Sequence, residues 1–394
     1  MKEKLSLPKG WELKTIGDVC VSASSNVSQN KLADDEGDYP IFGASGLIKK
    51  VSFYHRDKPY LSIVKDGSGV GRVTKMDAYT SVIGTLQYIL PKENIDLDYL
   101  NYSLMSVDFK KYVAGAAIPH IYFKDYKNEP FLWMPLPEQQ RIVSILDEAF
   151  AAIAKAKDNA EQNLKNAKEL FESYLEDLFT NLFQKCEKKN VSELAKVIGG
   201  YSFKSTDFKK EGKYQVIRMG NVRPGIIREN ESPVFIDELD DRALSKALLL
   251  KNDVIITQTG TKKKRDYGFT VIIEKENYLL NQRIASIRFS DKYLSKFFLY
   301  FSWTNIFKDQ YFANETGTVG QGNVGIGAIT DAIVPFIPVK EQKMIIDKID
   351  EIRTETQKLE AVYQKKIDDL EELKKSILQK AFAGELKNEK AMVV

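Results

Sequence analysis

Cysteine and histidine are scarce in these 394 residues, with two of each. Cys20 and Cys186 lie far apart, so the chain offers neither a disulfide framework nor a CxxC redox pair. Four such side chains at these positions make a Cys/His zinc site a poor fit. With His55 and His120 as the only imidazoles, no Ser/His/Asp or Cys/His set stands out. No two prolines are adjacent, which removes the (Asn/Asp)-Pro-Pro-(Tyr/Phe) motif used for methylating the amino group of adenine or cytosine. No GxxxxGK[ST] loop occurs. The run Gly67-Ser68-Gly69-Val70-Gly71-Arg72 lacks the GxGxxG spacing and reads as a hairpin turn rather than a nucleotide loop. Glu169, Glu172, Glu371 and Glu372 fall on predicted helices, where solvated charge explains them better than a Mg²⁺-binding nuclease cluster. No catalytic centre emerges, and no metal site. The formal net charge is only +3, so nucleic-acid contact has to come from local clusters of Lys and Arg. No apolar run approaches 18 residues and no leader-like stretch opens the chain, which predicts a cytoplasmic protein.

What is present is a repeat. The stretches 135–183 and 338–386 open as Pro-Leu-Pro-Glu-Gln-Gln-Arg-Ile and Pro-Val-Lys-Glu-Gln-Lys-Met-Ile. Each then enters an amphipathic pattern with alternating steps of four and three, the seam of a heptad coiled coil. In the first the seam runs Ile142, Leu146, Ala149, Ile153, Ala156, Ala160, Asn163, Ala167, Leu170. Adding 203 gives Ile345, Ile349, Ile352, Thr356, Leu359, Tyr363, Lys366, Leu370 and Leu373, with Ile377 next. Both carry a polar interruption at the same place, Asn163 and Lys366. Each helix would be roughly 70 Å long and would not be stable alone. Antiparallel pairing buries both stripes. Asn163 and Lys366 then either meet in the seam and fix its register, or face water while Leu164 and Ile367 take over.

Ahead of each helix the chain reads as a mixed α/β globule, one before the first helix and one between the two. In the first, strands are predicted over 39–42, 47–53, 60–64, 71–74 and 87–90, with a short helix over 95–112. In the second, strands are predicted over 216–219, 253–257, 270–273 and 284–289, with a short helix over 292–307. Aligning Ile16 with Leu194 gives the second globule roughly 25 extra residues. The predicted fold is α+β, with globules at 1–134 and 186–337 and helical segments at 135–185 and 338–390. The helices repeat closely while the globules share only a plan, as if the globules read two different things. Two reading heads on a rigid rod make a ruler, and duplex DNA is the obvious object.

Candidate DNA contacts follow from side-chain chemistry. Lys262, Lys263, Lys264 and Arg265 form a basic run after a strand and could neutralise phosphates. Arg218, Asn221 and Arg223 are of the types that bind guanine and adenine edges bidentately. The first globule offers Lys65, Arg72, Lys75, His120, Tyr122 and Lys124. The Gly-rich loop 316–327, with Gln321 and Asn323, parallels 114–121. Each of these residues has a plain alternative as solvated loop surface.

At this point a resemblance is clear. Leu7-Pro8-Lys9-Gly10-Trp11 at the start, Pro135-Leu136-Pro137-Glu138-Gln139-Gln140-Arg141-Ile142 at a helix entry and Lys380-Ala381-Phe382-Ala383-Gly384-Glu385-Leu386 near the end resemble the specificity subunit of Type I restriction–modification systems. The resemblance implies a subunit without catalysis of its own, whose two target-recognition domains each read half of a bipartite, asymmetric DNA site. It further implies two methyltransferase subunits bound to the helices and methylating adenine N6, and motor–nuclease subunits that can join them. S-adenosylmethionine, ATP and Mg²⁺ would sit on those partners. The recognition domains of this family vary greatly, so no base-contact residue carries over by motif. One departure is that the first helix ends in Leu178-Phe179-Thr180-Asn181-Leu182-Phe183, without the Gly384-Glu385-Leu386 ending of the second. The competing reading is a helical scaffold whose globules bind protein instead of DNA.

Overall fold

Thr15 ends the strand Glu12–Thr15 and starts a one-turn helix, Ile16–Val19, by a reciprocal cap: its N–H donates to Asp18 and its hydroxyl accepts from Asp18 N. The strand pairs antiparallel with Pro130–Trp133, immediately before the first long helix. In the computed structural model, which describes residues 7, 9–115, 117–318 and 320–384, this arrangement occurs twice. Glu187–Asn190 pairs antiparallel with Ile333–Phe336, and Asn190 N donates to Glu193 at the start of Val191–Leu194. Ile16 is therefore equivalent to Val191, not Leu194, which moves the alignment by three residues. The offset grows from 175 there to 203 at the helices, so the second globule carries 28 extra residues (203 − 175) rather than 25. Pro8, Glu385 and Leu386 of the sequence motifs, and the outer ends of the segments 1–134 and 338–390, lie outside the described residues.

Inside the frame the two globules have the same sheet topology. In the first, Cys20–Ser24, Leu86–Pro91, Tyr60–Val64 and Val73–Met76 form a four-stranded sheet in that order, antiparallel throughout. In the second, Ala195–Gly199, Ile284–Phe289, Val254–Thr257 and Thr270–Ile272 do the same. A three-stranded sheet accompanies each, with one parallel pair: Tyr39–Gly43 beside Ser81–Val82, and Tyr214–Ile217 beside Tyr278–Leu280. Strands of two or three residues, such as Ser81–Val82, Phe235–Ile236 and Tyr278–Leu280, escape a periodicity reading because they carry too little pattern.

The extra length of the second globule lies partly in two insertions. One is the hairpin of Val222–Arg223 with Ile226–Ile227; the other is the helix Asp241–Ala247. The helix predicted over 292–307 is two, Ser295–Phe301 and Asn305–Phe312. Ser302 and Thr304 break it, because their hydroxyls take the carbonyls of Leu299 and Phe301.

The chain forms two compact units: the part up to Glu161 together with the stretch from Gln364 onward, and Gln162–Tyr363. Each unit holds one globule and a portion of both long helices, Leu136–Lys185 and Val339–Phe382. In the first unit Ile142, Leu146 and Ile153 share a core with Leu370, Ile377 and Ala381. The pairing is antiparallel: Lys374 lies over the Phe150 ring, and Lys157 bonds Glu371 further along. In the second unit Leu175 and Phe179 share a core with Ile345, Ile346 and Ile349.

Beyond Ala160 the heptad seam is interrupted, although Ala167, Thr356 and Ile377 on it stay buried. Asn163 and Leu170 are exposed, as are Leu359, Lys366 and Leu373, while Leu164, Phe171, Ile352, Ile367 and Leu370 are half-buried. Of the two readings for the polar interruption, the structure takes the one in which Asn163 and Lys366 face water. A straight α-helix drifts by about 20° per heptad against a 3.5-residue repeat, so some positions of a rigidly counted seam turn off the packed face. Ala149, Ile153 and Ala160 precede the drift and face inward.

Candidate nucleic-acid interface

In the first globule three loops converge on one edge of the sheet. Lys65 N donates to Thr85 O at 3.0 Å, Ile121 N donates to Lys65 O at 2.9 Å, and Gly67 N donates to Pro119 O at 2.8 Å. Ala114 and His120 exchange backbone bonds of 2.9 Å, closing the loop between them. Gly71 must be glycine: its φ is +87°, and a Cβ there would stand 2.6 Å from Phe109 Cβ. Arg72 is held by the carbonyl of Ala44, and its side chain is exposed. Tyr122 is also exposed, with His120 edge-on at 5.0 Å and the Lys124 ammonium 5.3 Å from its ring. Lys65 has a carboxylate neighbour, Asp66, at 3.5 Å. These five residues gather at one place.

Lys75 does not join them. Its ammonium sits on both oxygens of Asp98 at 2.6 and 2.8 Å, which ties the sheet to the short helix Leu97–Met105. Its charge is spent on the frame.

The second globule builds the same edge from different residues. Thr259–Gly260 pairs with Gly322–Asn323, and Thr316 exchanges 2.9 Å bonds with Asn323. Gln258 N donates to Arg283 O at 2.9 Å, the counterpart of Lys65 on Thr85. Asn323 spends its side-chain oxygen on the Thr259 hydroxyl at 2.7 Å, whereas Gln321 is exposed. Gly322 leaves room for Tyr267, whose hydroxyl would be 2.4 Å from a Cβ there. The basic run lies in the next loop. Thr261 N donates to Asp266 at 2.6 Å, and this bond holds the Asp266 carboxyl below the usual carboxylate range. Lys263, Lys264 and Arg265 are exposed and Lys262 half-buried. Arg265 stacks over Phe312 at 4.8 Å.

Asn221 is a correction. It is buried, and its amide bonds Arg228 O at 3.1 Å and Glu231 O at 2.8 Å while its oxygen takes Arg218 N at 3.1 Å. Nothing is left to read a base, because the inserted hairpin folds around it. Arg223 turns back onto the carbonyls of Gly220 and Val222. Arg218 bonds Ser232 O and lines a shallow recess with Asn281, Gln282 and Arg283. Sequence reasoning missed that last triplet. An Asn-Gln-Arg run in a tight turn between two strands was the available signal, since all three side chains carry bidentate hydrogen-bonding groups.

Among the described residues no three His, Cys, Asp or Glu side chains assemble as a metal site, and no helix is long and apolar enough to cross a membrane. Burial pushes the Cys20 thiol up to about 12, which makes it a poor nucleophile. Two copies of one frame, each presenting a polar loop edge of different composition, define a duplicated recognition protein.

The Type I restriction modification DNA specificity domain matches residues 8–164 and again 184–372, and the chain belongs to that family. It is 22% identical over 97% of its length, and 94% of the relative's, to the Type I restriction enzyme MjaVIII specificity subunit of Methanocaldococcus jannaschii. A solved chain from work on complex assembly and conformational transition of the type I R-M system superposes with a TM-score of 0.72 at 15% identity, covering 97% of this chain and all of that one. The HsdS subunit from Thermoanaerobacter tengcongensis superposes with a TM-score of 0.58 at 16% identity, covering 96% and 98%. The chain is thus a DNA-sequence recognition subunit of a restriction–modification complex, without catalysis of its own, that associates with DNA and with other subunits. The scaffold reading without DNA recognition is not favoured.

Proposed function

We propose that the chain reads a bipartite, asymmetric DNA site, one half per globule, and directs adenine-N6 methylation by two methyltransferase subunits held on its long helices. The observation that carries this reading is the duplicated frame with dissimilar edges: Lys65, Arg72, His120, Tyr122 and Lys124 in one copy, Lys262–Arg265, Gln321 and the Asn281–Arg283 turn in the other. S-adenosylmethionine belongs on the methyltransferase subunits, which flip the target adenine out of the duplex to reach it. ATP and Mg²⁺ belong on motor–nuclease subunits that cut unmethylated DNA, all in the cytoplasm.

The test is single-molecule sequencing of methylated adenine in cells expressing this chain with its methyltransferase. A bipartite methylated motif that vanishes on deletion of the chain is expected. An unchanged methylome overturns the proposal.

A further inference from the structure

The repeat is tightest at the glutamine that enters each long helix. Gln139 is fully buried, its Nε2 donating to Asn94 O at 3.0 Å and Met134 O at 2.7 Å while its Oε1 accepts from Asp96 N at 2.9 Å. Gln342 is also fully buried and repeats this atom for atom, with Lys292 O at 3.0 Å, Ile337 O at 2.9 Å and Leu294 N at 2.8 Å. A second polar tie accompanies each: the Tyr102 hydroxyl donates to Asp147, and the Tyr300 hydroxyl donates to Asp350. Burial and then the carboxylate raise both phenols, Tyr300 to about 12, so both remain protonated donors.

These bonds bridge a joint. Met134 and Ile337 lie where the chain enters the helix, whereas Asn94 to Asp96 and Lys292 to Leu294 lead into the short helix of the globule. In the second copy the Lys296–Asp350 ion pair is a further tie. Much of the rest of the joint is apolar packing, non-directional and tolerant of small rotations. Hydrogen bonds at three fixed angles are not.

We infer that Gln139 and Gln342, with Tyr102–Asp147 and Tyr300–Asp350, are positioning residues that lock the angle of each recognition globule on its long helix. The lock sets how strictly the complex counts the base pairs between its half-sites, an inference that rests on the bipartite reading above. Adding one base pair moves a half-site by about 3.4 Å and turns it by about a tenth of a turn. A globule on a loosened joint follows that displacement; a locked one does not.

The experiment uses the full chain in complex with its methyltransferase subunits and DNA carrying the site with its own spacer, one base pair fewer and one more. Wild type is expected to methylate the native spacer far more than either altered one. Gln139→Met and Gln342→Met each weaken that discrimination by about tenfold, because each leaves two carbonyls and an N–H without partners. Tyr102→Phe and Tyr300→Phe weaken it by about threefold through loss of one bond, and they decide the matter if the methionine variants fail to fold. The bases read in each half-site stay the same throughout. Variants that keep the wild-type preference for the native spacer overturn the lock alone. A wild-type complex with no bipartite motif overturns the lock and the proposed function together.

Discussion

The two globules answer the same structural problem with different residues, and the differences fall in two places. At the sheet core, Tyr60 in the first copy stands where Asp253 stands in the second, just ahead of Leu61 and Val254, which pair with Ile89 and Ile287. Tyr60 packs in an apolar cluster, while Asp253 is buried and holds Arg288 through two 2.7 Å bonds. At the candidate interface, the turn Ile83-Gly84-Thr85 of the first copy is Asn281-Gln282-Arg283 in the second. The frame around both stays constant to the level of single hydrogen bonds. A constant joint and a variable edge are what a recognition module needs if its target is to change while its mounting does not.

The strongest challenge to this comparison is exchange of a whole globule. Replacing residues 190–336 with the equivalent part of another specificity subunit should change one half of the methylated motif completely and leave the other half intact. Methylome sequencing reads both halves at once, and a change in both would end the two-reader view.

Asp253→Ala comes next in size. Removing one partner of a buried pair strands the other charge, and because Arg288 keeps partial access to solvent the cost is about 3 kcal/mol. Hydrogen exchange should show faster amides in Val254–Thr257 and Ile284–Phe289, with Tyr60–Val64 of the first globule unchanged. Equal loosening of both sheets would mean that the copies are not independent at this level.

The smallest effect separates two kinds of lysine. Alanine at Lys262, Lys263 and Lys264 should lower the slope of log affinity against log salt by about 0.9 for each phosphate that is no longer neutralised. Lys75→Ala, whose ammonium already faces Asp98, should leave that slope unchanged. Titrating the assembled complex with duplex at several salt concentrations measures both.

Much of the architecture was legible in the residues. The register from Ile142 to Ala160, the strands Tyr60–Val64 and Ile284–Phe289 and the duplicated helix entries follow from spacing alone. The interface was legible as chemistry but not as geometry. Asn221 and Lys75 carry suitable groups, yet a folded-back hairpin consumes one and a short helix the other. Arg283 was overlooked because what places it at the candidate edge is its backbone bond to Gln258, 25 residues away in sequence (283 − 258).

The sequence by itself determined that one element is used twice, because hydrophobic periodicity and a Pro-x-x-Glu-Gln entry are local properties that survive divergence. It also makes a Cys/His zinc site a poor fit, since only two cysteines and two histidines are present. Only the tertiary structure decided that Asn163 and Lys366 face water, because which of two adjacent stripes is covered is settled by packing. Only it showed that the two glutamines of the entry motif close one joint in two copies, because their partners are main-chain groups, which carry no signature in the sequence.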